Sequence, residues 1–114
     1  MGYEPVKPDR SFQNAVIHRM VYDPVFGIKS TARITDEVTL LMEDALSFFR
    51  DKKADAIILG CTEFSLVPIG SNTNGMVVID STEVLAMALI REAASMDSQS
   101  NIAVYKMQPG GLLF

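Results

Sequence analysis

The sequence predicts an α/β fold, a layered lobe with a parallel sheet that is incomplete by itself. The strands come from Ala56-Ile57-Ile58-Leu59 and Met76-Val77-Val78-Ile79. These continuous apolar runs are too short for helices and of the kind that forms strands covered on both faces. Stretches of helical period precede the first run and follow the second, an order that suits parallel pairing. Two strands make a thinner sheet than a whole domain of this class carries, so the lobe reads as part of something larger.

Taken in order, residues 1–8 form an irregular lead-in, with Pro5 and Pro8 opposing regular structure. Asp9 caps a first helix because its carboxylate can accept a bond from the free amides of the opening turn. Phe12, Val16 and Met20 recur at helical spacing, and Ile17 and Val21 widen that stripe. Pro24 and Gly27 end the helix, and a linker over 28–34 follows. Thr35 caps a second helix, with Asp36 and Glu37 favourably placed against its dipole. Val38, Leu41, Met42, Ala45, Phe48 and Phe49 form its buried face, and Lys52 and Lys53 suit its negative end. After the first strand, Gly60 stops the run and residues 61–69 form a loop with a short helical turn, ended by Pro68. GSNTNG over 70–75 is turn chemistry. Asp80, with Glu83 three residues on, opens a last helix in the manner of a capping box. That helix is expected to carry Val84, Leu85, Ala88, Leu89 and Ala93 inward. From Ser95 the composition turns polar, and 95–114 reads as a tail without a clear period.

Composition excludes several function classes. The 114 residues are 48% hydrophobic and 21% charged, ordinary for a globular domain, and the net charge is -4. Lys and Arg form no stripe, which speaks against nucleic acid and anionic membrane as partners. No apolar run approaches the roughly 20 residues that span a bilayer. MGYEPVKPDR lacks the layout of a secretory signal. A single cysteine cannot close an internal disulfide, so the expected setting is a reducing cytoplasm.

That cysteine, Cys61, stands two residues after the end of the first strand, in DAIILGCTEF. Ligands of open α/β sheets sit outside the carboxyl ends of strands. Gly60 would let a ligand approach the backbone, and a helical turn from residue 62 would set free amides beside the sulfur and favour thiolate. Thr62 offers a hydroxyl and an amide for a carboxylate, and Glu63 an acid that can orient a neighbour or handle a proton. The structural reading stands beside this one. Free cysteine is among the most buried residue types, Thr62 can be a cap, and Glu63 can solvate a helix start.

ADAIILGCTEFSLVP followed by VVIDSTEVLAMALIREA resembles the C-terminal half of the aspartate/glutamate racemase family, to which hydantoin racemase is related. The resemblance runs from about Phe12 to Ala94, and Gly60-Cys61-Thr62-Glu63 is its most specific part. It implies that residues 9–94 are the C-terminal catalytic lobe of a two-lobe, racemase-like fold in which each lobe presents one cysteine across a cleft. It further implies a cofactor-independent isomerase that inverts an α-carbon by proton transfer between a thiolate and a thiol. Cys61 would be the second of the two cysteines. Thr62 would hold the substrate carboxylate, and Glu63 would stand where classical glutamate racemases have histidine. The expected substrate is a small amino acid or a related carboxylate.

Two departures accompany the resemblance. The first lobe, with its own cysteine in an Asn-Thr context, is missing, so the partner would be that N-terminal lobe or a second copy in a homo-oligomer. Some aspartate racemases place a substrate-facing lysine just before the glycine that matches Gly27. Here Phe26 holds that position and Lys29 lies close by, as a substrate-binding candidate or a solvated loop cation. Alternatives are a single-cysteine decarboxylase or isomerase of the same superfamily, which needs one thiol only, and an inactive truncated half domain. His18 reads as a surface residue, no metal-ligand cluster stands out, and Tyr22 carries no pattern.

Overall fold

Helix α1, over residues 10–22, opens the fold in a computed structural model that describes residues 2–97. Asp9 caps it as expected, accepting the Phe12 amide at 2.8 Å. Between the short α-helical pieces Arg10–Phe12 and Arg19–Tyr22, the segment Gln13–His18 is wound as a π-helix. No periodicity argument anticipates that widened turn. Val16, Met20 and Val21 are buried, while Phe12 and Ile17 are half-buried.

The expected linker after Gly27 contains a one-turn helix, α2 (Ile28–Thr31). Local side-chain bonds explain why so short a helix forms. The Asp23 carboxylate accepts the Val25 and Phe26 amides, the Ser30 hydroxyl donates to the Asp23 carbonyl, and the Thr31 hydroxyl donates to the Gly27 carbonyl. Ile28 is buried beneath it, and Ala32, at φ 54°, ends it. Gly27 has a close-packing reason to be glycine. A Cβ there would lie 2.6 Å from the backbone N and O of Asp23.

Helix α3 (Asp36–Asp51) is capped by Thr35, whose hydroxyl accepts the Val38 amide at 3.3 Å. Val38, Met42, Ala45 and Leu46 are its buried residues, and the Phe48 ring stacks on Phe12 of α1 at 4.5 Å between centroids. Side chains from α1, α2 and α3 join Val67 in one apolar core, against which Ile57, Phe64 and Ile69 also pack. Each fully buried aliphatic side chain contributes about 1.5–3 kcal/mol. The core is therefore the main support of this part of the chain.

The sheet has three strands among the described residues, β1 (Ala56–Leu59), β2 (Asn72–Thr73) and β3 (Met76–Asp80), in the order β1-β3-β2. β1 and β3 are parallel, with Ile57 opposite Val78 and Leu59 opposite Asp80. β2 was unexpected. The stretch read only as a turn pairs antiparallel with β3 through a tight connection at Asn74 and Gly75, whose φ values are 50° and 82°. The expectation of strands covered on both faces also needs correction. Leu59 and Met76 are buried, but Ile58 is 68% exposed and Val77 51% exposed. Within this unit the helices cover one face of the sheet and leave the other open.

The chain forms two units, Met1–Thr82 and Glu83–Phe114. Helix α4 (Ser81–Asp97) supplies the described part of the second. Its opening holds to expectation, since the Asp80 carboxylate accepts the Thr82 amide at 2.9 Å. The expected inward residues do not. Val84, Leu85 and Leu89 are more than half exposed, as is Met87. Apolar residues run almost without a break from Val84 to Ile90, so no narrow stripe marks one face. The helix extends through Asp97, past the start of the expected tail, and the rest of that tail, 98–114, lies outside the described residues. The molecule is thus mixed α/β with a small sheet. Among the described residues no helix is long and apolar enough to cross a membrane.

Candidate functional site

The end of β1 is fixed from both sides. The Ser81 hydroxyl donates to the Leu59 carbonyl at 2.6 Å, and the Ser65 hydroxyl donates to the Asp80 carboxylate at 2.7 Å, joining the turn after β1 to the end of β3. Between these ties, Thr62–Leu66 forms a 3-10 turn with Cys61 at its cap position. Phe64 packs toward the core from this turn. Its placement leaves Cys61 half-buried at the carboxyl end of the strand, with Thr62 exposed and Glu63 half-buried beside it.

All four residues singled out in the sequence meet here. The Cys61 thiol donates to Glu63 Oε2 at 2.7 Å, and the Thr62 hydroxyl donates to the same oxygen at 3.1 Å. Lys29, delivered by α2, places Nζ 3.5 Å from Glu63 Oε1. The Glu63 carboxylate is thus surrounded by a thiol, a hydroxyl and an ammonium. Lys29 Nζ also sits 5.2 Å from the centroid of the Tyr22 ring, on which His18 stacks at 4.6 Å. Tyr22 was missed as a site residue. Its position on α1, one turn after His18 and close before the Asp23 loop, was the available signal.

The electrostatics differ from expectation at the sulfur. Burial, reinforced by the Glu63 carboxylate, pushes the Cys61 thiol above its ordinary value of 9.0, against the weaker pull of Lys29. The free amides of the short turn do not overcome this, so Cys61 rests as a thiol rather than a thiolate. Glu63 moves the other way. The bond from Cys61, with help from its own backbone, Thr62 and Lys29, holds its carboxyl down to about 2. Lys29 is raised by Tyr22 first and Glu63 second, and is cationic across the ordinary pH range.

Beside the charged group lies an apolar cavity of about 230 Å³, lined by Cys61 together with Ile17, Met42, Phe49, Leu59 and Phe64. Gly60 is also on its wall. A Cβ at Gly60 would meet nothing within 4 Å, so the packing of the chain itself sets no demand for glycine there. Among the described residues, no group of three or more His, Cys, Asp or Glu side chains could hold a metal ion. Chemically, the arrangement offers one proton donor in a half-dry setting, a fixed cation and an adjoining apolar space. Compared with protein-family models, curated proteins and solved structures, the chain matches none.

Proposed function

We propose that this chain is the second cysteine lobe of a cofactor-independent amino acid racemase of the aspartate/glutamate type. The supporting observation is the thiol of Cys61 at the carboxyl end of a strand, in contact with a carboxylate that Lys29 and Thr62 also hold. An amino acid α-proton is weakly acidic, so its removal needs a base and fixed donors for the substrate carboxylate. In the direction that uses Cys61 as acid, a thiolate from the other lobe takes the α-proton and the electron pair stays on the carbon. That carbon then takes the proton from Cys61 Sγ on the opposite face, leaving a thiolate. With the other enantiomer the roles exchange. Thr62 and Lys29 bind carboxylate, and Glu63 gives up its hydrogen bond from Cys61 Sγ when substrate arrives, leaving the thiol free to donate its proton.

The test is α-proton exchange in deuterated water, followed by NMR on both enantiomers of a panel of amino acids with acidic and with apolar side chains. The chain alone gives no exchange. With an N-terminal lobe carrying a cysteine in an Asn-Thr context, exchange begins and is lost in Cys61→Ala. Exchange that survives Cys61→Ala overturns the thiol mechanism.

The resting thiol favours a second reading. One-sided protonation needs a single sulfur, and the chain has a single cysteine. A substituted malonate would lose carbon dioxide, leaving the bonding pair on carbon, which then takes the Cys61 proton. Carbon dioxide release with stereospecific deuterium uptake, by this chain alone, would establish that reading over the first.

A further inference from the structure

The cavity and the charged cluster share Cys61 but differ completely in chemistry. Toward Glu63, the group is all polar donors around one carboxylate. Toward Phe64 and Phe49, the wall is aliphatic and aromatic apart from Gln13, and no Lys or Arg lines it. An apolar pocket with a few convergent polar groups at its edge is the usual form of a small-molecule site.

Each side constrains a ligand. Lys29 and Thr62 suit a carboxylate, and their present occupant is the chain's own Glu63. The cavity suits an apolar group, because a charged one placed there would lose its hydration with no opposite charge to meet. Its size is informative, since an apolar cavity of about 150 Å³ accepts benzene. At about 230 Å³, this one can take a ring or a branched chain of similar bulk. The acidic side chain of aspartate or glutamate fits this wall poorly.

We propose that the site takes a monocarboxylate bearing an apolar substituent of about ring size. Its carboxylate replaces that of Glu63 on Lys29 and Thr62, and its substituent fills the cavity beside Cys61. This deepens the racemase reading, resting on it for the location of the site while changing the substrate class from acidic to apolar. Glu63 then serves as an internal stand-in that a ligand displaces.

The test reads binding on the full chain and needs no turnover, so its failure is distinct from failure of the exchange assay. Amide chemical shifts are followed while 3-phenylpropionate, succinate and acetate are added in turn. The expected result is that 3-phenylpropionate binds about tenfold more tightly than either of the others, with shifts at Ile17, Phe49, Lys29 and Cys61. Lys29→Met weakens it about two- to fivefold, the scale of an exposed charge pair. Glu63→Gln tightens it by a similar factor, because the competing charge is gone. Succinate binding as well as 3-phenylpropionate, no binding of either, or weaker binding in Glu63→Gln overturns the proposal. The ligand comparison uses the unsubstituted chain and stands even if a variant fails to fold.

Discussion

Cys61 gives its hydrogen to Glu63, and that contact sets two titrations together. The rate of Cys61 alkylation by iodoacetamide should still be rising with pH at 9 and level off only beyond it, since the thiol lies above its ordinary value. In Glu63→Gln the rise should move to lower pH, because a neighbouring negative charge is lost. An unchanged profile in that variant would contradict the stated cause. Glu63 should titrate at about 2 by carbon NMR, and Cys61→Ala should bring it back toward 4.5. Its folded value is depressed, so the stabilisation is present above about 4.5 and is lost as pH falls toward about 2. Cys61, Thr62 and Glu63 were legible because they are contiguous at a strand end, where backbone geometry brings neighbours together. Lys29 was visible only through a resemblance, since nothing in its own surroundings says that α2 will deliver it to Glu63. The sulfur's protonation was misread because dryness and a neighbouring charge belong to tertiary structure.

At the scale of elements, capping residues carried most of the legible fold. Asp9, Thr35 and Asp80 each accept an amide bond at the helix start expected of them. Thr35 also donates to the Phe26 carbonyl, joining α3 to the loop that positions Lys29. Thr35→Ala should cost about 0.5–2 kcal/mol in chemical denaturation. Gly27→Ala should cost about 1–3 kcal/mol or more, because the new methyl meets rigid backbone rather than a movable side chain. The π-helical turn in α1, the one-turn α2 and the two-residue β2 were not legible. Each depends on a few local hydrogen bonds that change no hydrophobic period, and period is the signal a sequence offers most clearly.

Across the first unit as a whole, the sheet separates the chain into a packed side and an open side. The distinction can be measured at adjacent residues of β1. Leu59→Ala should destabilise by about 2–5 kcal/mol, as a buried truncation does. Ile58→Ala should stay within about 0.5 kcal/mol. Equal losses would mean that the outer face is packed in solution. The two apolar runs identified the strands, but coverage depends on which elements lie beside them, and that cannot be read within the runs themselves. The protonated sulfur has a consequence for handling and for oxidative stress. Peroxide attacks the deprotonated form, so sulfenic acid should form slowly at neutral pH. With one cysteine per chain, any sulfur bridge must join two molecules, and chains exposed to mild oxidant should still migrate singly on a non-reducing gel.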